Sequence, residues 1–445
     1  MSTFIVTGGT PLKGEVTIGG AKNVALKAIL ASLLTEEELV LHNIPEIRDV
    51  SYLLIMLEAM GVQVRRIGHT VKIKNGHLTN TTVPLEVGAR LRTSSMAIGP
   101  MLARYKKAQI PNPGGCRIGA RPIDRHIEGL RKMGATISYH SADGYYHAEA
   151  KELHGATITF SKNTHTGTET LILAAVLAQG RTVLKNAAGE VEIDDLITLL
   201  NAMGAKIDRV SPREIVIDGV TKLHGTEYSI MPDRNEEVTF AIGAVVTGGD
   251  LTIHNSQPQH LREFFHALKQ AGAHFEVKDG STTRYRSTGI LRHTDVVTGP
   301  HPGFMTDWQS PWALLMTQAK GISTLHETVF ESRFSYVSEL RKMGAKIDFF
   351  DPKVGNPREF YNFNWKKSGK ESYQAVSIAG PTKLHNAIVT MNDLRAGATL
   401  LLATIVARGT SYLHGVEQID RGYEKIEERL RMLGARIKRV KENHL

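Results

Sequence analysis

A helix-ending signature recurs six times along the chain, as EAMGV, RKMGA, NAMGA, KQAGA, RKMGA and RMLGA, with its glycine at Gly61, Gly134, Gly204, Gly272, Gly344 and Gly434. The intervals are 73, 70, 68, 72 and 90 residues. Local helix stops have no reason to be evenly spaced, so the regularity marks a repeated structural unit about 70 residues long. The longer last interval places an insertion near residues 351–375, in DPKVGNPREFYNFNWKKSGKES.

The surroundings of each glycine repeat too. An apolar run such as LILAAVLAQG or TLLLATIVARG leads into a strand-like RTVLKN or TSYLHG, then a polar loop and an amphipathic helix such as LITLLNAMG. After the glycine comes an alternating stretch such as ISYH, KIDRV or RIKRV. Apolar spacing of 3.6 giving way to alternation reads as helix followed by strand, and glycine at the change suits a left-handed helix end. The unit is therefore mixed α/β. Solenoid repeats run about 20 to 50 residues, so six longer units in 445 residues predict two globular domains of three units each.

Apolar residues at 41% and charged residues at 22% supply ordinary globular core material and argue against disorder. A net charge of +9 admits nucleic acid, an anionic membrane surface or an anionic small substrate as partner. The basic residues are spread along the chain, and the densest run, residues 429–441, is interleaved with Leu, Ile and Glu. It reads as a solvated helix and strand rather than a nucleic-acid arm. A single cysteine excludes an internal disulfide and a four-sulfur metal site. The opening MSTFIVTGGTPLKGEV has no signal-peptide pattern, and no run approaches the roughly 18 apolar residues that span a bilayer. A cytoplasmic protein without a membrane partner is the expectation.

Three regions carry candidate chemistry. The segment IPNPGGCRIGARPIDRHI, residues 110–127, is too rich in Pro and Gly to be the interior of an element and reads as a loop. Its Cys116 stands beside Arg117 and near Arg121. A lone cysteine is ordinarily a small buried hydrophobe, but flanking arginines in an accessible loop favour a reactive thiolate. In GGAKNVALKAILASLL, Lys22 and Asn23 follow paired glycines and open a helix, a weak signal for an anion site. In the second half, Asp307 lies in HPGFMTDWQS, Arg395 in NDLRAG and Arg421 in IDRGYEKIEE, and each could equally belong to a structural ion pair or cap. No phosphate loop ending in Gly-Lys-Ser/Thr and no strand-linked GxGxxG is present. His126, His165 and His301 lack metal-ligand spacing, so no metal site is expected.

Together GGAKNVALKAILASLL, PGGCRIGARPIDRHI, PHPGFMTD, ETVFESRF, DLRAGA and IDRGYEKIEERLRMLGA resemble, in order and spacing, the UDP-N-acetylglucosamine 1-carboxyvinyltransferases. These are enolpyruvyl transferases of the EPSP synthase type, and the likeness covers nearly the whole chain. It implies a two-domain inside-out α/β barrel of six βαβαββ units, three per domain. Residues 22–231 would form the domain with the cysteine loop, and residues 1–21 with 232–445 the second, which carries the insertion.

The activity implied is transfer of the enolpyruvyl group of phosphoenolpyruvate to the 3′-hydroxyl of UDP-N-acetylglucosamine, with release of phosphate and no cofactor. By the same resemblance Lys22, Arg121, Arg395 and Arg421 clamp phosphoenolpyruvate, Asp307 acts as general base and Cys116 protonates C3. The nucleotide-sugar would meet Asn23, Arg92, Arg121, Pro122, Ile123, Asp124, Arg125, Lys162, Asn163, Thr164, His165, Asp307 and Val329. Closure of the domains would complete the site. The chain departs from the family pattern at Arg125, Asn163 to Thr166, Met305 and the insertion. Alternative readings are an enolpyruvyl transferase for another nucleotide-sugar or for shikimate 3-phosphate, and a basic scaffold for nucleic acid.

Overall fold

The computed structural model describes residues 2–76, 78, 80–115, 118–287, 289–365 and 373–441. The chain divides into two compact units, one of Met1–Gly19, Arg117–Arg121 and Pro232–Leu445, the other of Gly20–Cys116 and Pro122–Met231. Each is mixed α/β, and each holds three of the six sheets formed among the described residues.

All six signature glycines lie in the left-handed region, with φ between 77° and 100°. The hydrogen bonds around them are the same six times over. In the first copy Gly61 N donates to Glu58 O at 3.0 Å and Val62 N to Leu57 O at 3.0 Å. The later copies repeat both bonds, down to Gly434 N to Arg431 O at 2.9 Å and Ala435 N to Leu430 O at 2.9 Å. This is the Schellman closure, in which two otherwise orphaned carbonyls of the last turn are satisfied. The residue accepting the longer-range bond is a leucine in every copy and is buried, so each turn is pinned by an apolar contact as well.

The strand that leaves each glycine pairs antiparallel with a second strand. Gln63–Ile67 meets Thr70–Lys74, and Lys206–Ser211 meets Glu214–Asp218. In the fifth copy Lys346–Phe350 meets Ala375–Gly380, so the extra residues lie inside that hairpin connection. There the short helix Pro357–Phe360 is followed by Tyr361, which is buried and stacked on Trp365 at 4.6 Å, its hydroxyl 3.0 Å from His326 Nε2. The expected insertion also includes residues 366–372, which lie outside the described residues. In the last copy the partner of Arg436–Lys441 is the N-terminal strand Ser2–Thr7.

Five of the six sheets have one order: a strand pairing parallel to a central one, then two antiparallel strands, as in Thr157–Thr159, Arg181–Lys185, Glu214–Asp218, Lys206–Ser211. The sixth has three strands, with a single parallel bridge, Thr82 to Gln109, where the fourth would be.

Several helices are buried on nearly every side. In one unit these include Arg234–Val246, Gln309–Met316 and Leu394–Val406, and in the other Lys22–Ala31 and His165–Ala175. A helix without a polar face has to lie inside a core, which is why the LILAAVLAQG and TLLLATIVARG runs are apolar all round. Most of its charged residues then lie near its start, and one within it, such as Lys27, is balanced by another buried charge, Glu169. The loop expected over residues 110–127 is shorter in the structure. Ile110 and Pro111 finish the strand Lys107–Pro111, and Asp124–Lys132 is helical, because its acidic first turn and basic last turn suit the helix dipole.

The Schellman turns give a direct test. At Gly434 the nearest atoms to an added Cβ are 3.7 Å away, so only the backbone conformation opposes a side chain. Gly434→Ala is expected to lower stability by about 1–2 kcal/mol in urea unfolding. Gly280→Ala, where φ is not in that region and no atom lies within 4 Å, should leave the midpoint in place. Equal midpoints for both would contradict the account.

Candidate active site

In the unit that holds the C-terminal half of the chain, the starts of three buried helices are tied together. Asp233 caps one by accepting from Asn235 N at 2.8 Å, and Asp393 caps another by accepting from Arg395 N and Ala396 N, both at 3.0 Å. Trp308, at the third, donates its indole N–H to Asn235 Oδ1 at 2.9 Å. Asp307 then bridges two buried guanidiniums: Arg333 is in contact with Oδ1, and Arg395 Nη2 stands 3.4 Å from Oδ2.

Arg333 also donates to Thr306 Oγ1 at 3.1 Å, and Thr306 donates to Glu327 Oε2 at 2.9 Å. The other oxygen of Glu327 accepts from Val329 N at 2.8 Å and Phe330 N at 3.0 Å.

The electrostatics follow from burial. Water exclusion by itself lowers the pKa of Arg395, yet the surrounding Tyr423, Asp307 and Asp233 raise it above that of a free guanidinium. Arg333 behaves alike, with Asp307, Asp393 and Glu327 outweighing its desolvation. Burial pushes Glu327 up, against the opposing pull of Arg333. Arg395 lies 5.3 Å from the ring centre of Tyr423 and interacts with its hydroxyl, while its Nη1 is buried with no acceptor in ideal hydrogen-bonding geometry among the described residues. A buried, permanently charged donor left over at the start of a helix is a feature that an anionic ligand satisfies.

Arg121 is held in a positive-φ conformation, at 44°, with its guanidinium 5.6 Å from the centre of the Phe330 ring, and Arg333 lies 5.7 Å from the same centre. Ile118 O accepts from Ser332 N at 3.2 Å, and Gly119, at φ 137°, holds a backbone conformation that favours glycine beside the Glu331 carboxylate. Cys116, the expected proton donor, lies outside the described residues.

Of the candidates in this unit, Asp307, Arg395, Arg121 and Val329 are thus linked through Arg333, Glu327 and Phe330. Arg421 ends the short helix Val416–Arg421, half-buried, with Nη1 3.5 Å from Gln418 Oε1.

In the other unit Lys22 begins its buried helix and pairs with Asp49 at 2.7 Å, while Asn23 beside it is half-buried. Arg92 opens the helical turn Arg92–Ala97 and is half-buried. Pro122 is exposed, Ile123 buried, and Asp124 and Arg125 half-buried, with Asp124 Oδ1 accepting from Arg125 N at 2.9 Å. Lys162 is half-buried, and Asn163 Nδ2 donates to Ala187 O at 3.0 Å. Thr164 caps the next buried helix by accepting from Gly167 N at 3.2 Å.

His165 begins that helix, 3.1 Å from Glu169, whose other oxygen is 3.2 Å from Lys27 Nζ. Burial lowers the His165 pKa, but Glu169 more than restores it, leaving it above the ordinary value. His126 and His301 instead bond Thr166 Oγ1 and Arg234 Nη1, at 3.0 and 3.1 Å.

Sequence reasoning passed over Arg333, Glu327, Asp49, Lys27 and Glu169. Arg333 and Glu327 stood inside ETVFESRF without a role. A charged residue at the centre of an otherwise apolar helix, such as Lys27, was the available signal for the last two.

Buried cations at helix starts form a feature suited to a small anion. Residues 6–430 match the family model described as EPSP synthase (3-phosphoshikimate 1-carboxyvinyltransferase). The UDP-N-acetylglucosamine 1-carboxyvinyltransferase of Acidobacterium capsulatum is 45% identical, over 99% of this chain and 96% of its own. That of Desulfatibacillum aliphaticivorans is 42% identical, over 99% and 100%.

Among solved structures, the enolpyruvyl transferase NikO from Streptomyces tendae superposes with a TM-score of 0.86 at 22% identity, covering 99% of both chains. EPSP synthase from Acinetobacter baumannii gives 0.76 at 18% identity, over 99% and 100%. The chain belongs to the EPSP synthase family and has its fold.

Arg333 decides whether the Asp307 cluster is held as a unit. Arg333→Ala leaves Asp307 and Glu327 with one buried countercharge fewer and is expected to cost about 3 kcal/mol in urea unfolding. Breaking the exposed pair of Arg181 with Asp218 by Arg181→Ala should barely move the midpoint. A comparable, small effect at both positions would mean that the cluster does not hold the helix starts.

Proposed function

We propose that this chain transfers the enolpyruvyl group of phosphoenolpyruvate to the 3′-hydroxyl of UDP-N-acetylglucosamine, releasing phosphate, in the first committed step of peptidoglycan precursor synthesis in the cytoplasm. The observation that carries the reading is the buried Arg395 with its spare Nη1, set beside the carboxylate of Asp307. A carboxylate able to take a hydroxyl proton then stands next to a donor for the anion that the hydroxyl attacks. Relatives that share 39–45% of their residues with nearly the full chain and bear the matching name support the acceptor.

The chemistry is addition followed by elimination. Asp307 takes the proton of the sugar 3′-hydroxyl as its oxygen bonds to C2 of phosphoenolpyruvate, and Cys116 supplies a proton to C3. Loss of a proton from C3 and of phosphate from C2 then restores the enol ether. Nothing is oxidised or reduced, so no redox cofactor is required. Lys22, Arg121, Arg395 and Arg421 neutralise the phosphate and carboxylate, for which forked guanidinium contacts are suited. Asn23, Arg92, Arg121 to Arg125, Lys162 to His165 and Val329 hold the nucleotide-sugar.

The finer architecture is part of the same reading: six βαβαββ units, three in each domain of an inside-out barrel, with the domains divided near residues 22 and 231. The three sheets and the buried helices of each unit support it.

The test is phosphate release from phosphoenolpyruvate with UDP-N-acetylglucosamine, against shikimate 3-phosphate, in metal-free buffer. Release with the nucleotide-sugar alone is expected, and release with shikimate 3-phosphate alone would overturn the proposal. In the same assay Cys116→Ala should lose most turnover, because nothing replaces the proton donor, while Cys116→Asp should keep a substantial part of it. A fully active Cys116→Ala enzyme would remove the thiol from proton transfer.

A further inference from the structure

One group of histidine and carboxylate side chains outside this chemistry converges closely enough to share an ion. Among the described residues, His140, Asp143 and His147 each offer a ligand atom, and these lie within 4.8 Å of one another. Strands Thr136–His140 and Tyr145–Glu149 form an antiparallel hairpin in which His140 faces Tyr145 and Ser138 faces His147, so the two imidazoles are diagonal neighbours. Their rings stack at 4.1 Å, with an interplanar angle of 19°. Asp143 lies in the turn between the strands.

The turn is fixed from both sides. Asp143 Oδ1 accepts from Tyr145 N at 2.9 Å, which fixes the carboxylate and directs Oδ2 to His147 Nε2 at 2.7 Å. Gly144, at φ 77°, allows the reversal. His140 Nε2 rests on Ser138 Oγ at 2.9 Å, a neutral partner that a metal can displace.

Two imidazoles and one carboxylate are a donor set that suits a borderline divalent cation such as Zn²⁺, which prefers four ligands and would keep water in the fourth place. Tetrahedral zinc with bonds near 2.0–2.1 Å separates its ligands by roughly 3.3 Å, so the two imidazoles, now stacked nearly parallel, have to tilt toward a common point to close the present spacing. The hairpin supplies all three donors from eight consecutive residues, His140 to His147.

We propose that His140, Asp143 and His147 form a surface site for one first-row divalent cation, Zn²⁺ among them. Occupation clamps the hairpin turn. The carbonyl of Gly144 accepts from Asn112 N at 3.2 Å, where the chain enters the glycine-rich stretch that precedes Cys116, so the clamp lies at the stem of that segment.

Isothermal titration of the full chain with Zn²⁺ tests the site, with Co²⁺ absorption as a second reading of the coordination sphere. The wild type should take up one Zn²⁺ per chain and give the intense visible bands of four-coordinate Co²⁺. His140→Ala, His147→Ala and Asp143→Asn should each weaken binding at least about tenfold, since changes even to groups outside the ligand set commonly cost that much. His266→Ala, at an exposed histidine on another element, should bind as the wild type does. All four side chains are at the surface or half-buried, and circular dichroism checks that each variant is folded. No uptake by the wild type, or binding that survives any one of the three ligand substitutions, overturns the proposal.

Discussion

A charge that has been taken out of water must find its balance within the protein, and the fold around Asp307 is arranged to provide it. Arg333 and Arg395 are both buried, and each alone would be costly. Asp307 between them, with Glu327, Asp393 and Asp233 close by, keeps both guanidiniums charged. The cluster also joins the starts of the helices that carry Asn235, Trp308 and Arg395, because each capping or bridging side chain is bonded to another. Positive helix ends and buried cations add in the same direction, which is what an anion such as a phosphate requires.

The same rule operates at Lys22 and at His165. Their helices are buried almost throughout, so each charge on them, whether at the start or within, needs a buried partner. Lys22 is balanced by Asp49, and His165 by Glu169, which is itself shared with Lys27. Candidate functional residues and buried helix starts coincide at both positions.

Much of this was legible in the sequence because it depends on local chemistry. The six glycines required left-handed backbone, and all six have it, each closing a helix whose next strand follows at once. The long interval before Gly434 announced an insertion, and the structure puts it within one hairpin connection. What stayed hidden were partners distant in the chain. Nothing local to Arg333 points to Asp307, 26 residues away, nor anything at Lys27 to Glu169. The hairpin triad was hidden for another reason: His140 and His147 are neighbours only once the turn at Gly144 has formed, and their interval matches no helical ligand spacing.

The buried Nη1 of Arg395 is proposed to receive an anion of the substrate. A crystal structure with phosphoenolpyruvate and UDP-N-acetylglucosamine bound to a slow variant tests it most directly. The account predicts a phosphate or carboxylate oxygen about 2.8 Å from that nitrogen, with the sugar 3′-hydroxyl on Asp307. Phosphoenolpyruvate bound elsewhere, with Arg395 still facing only protein, would contradict it.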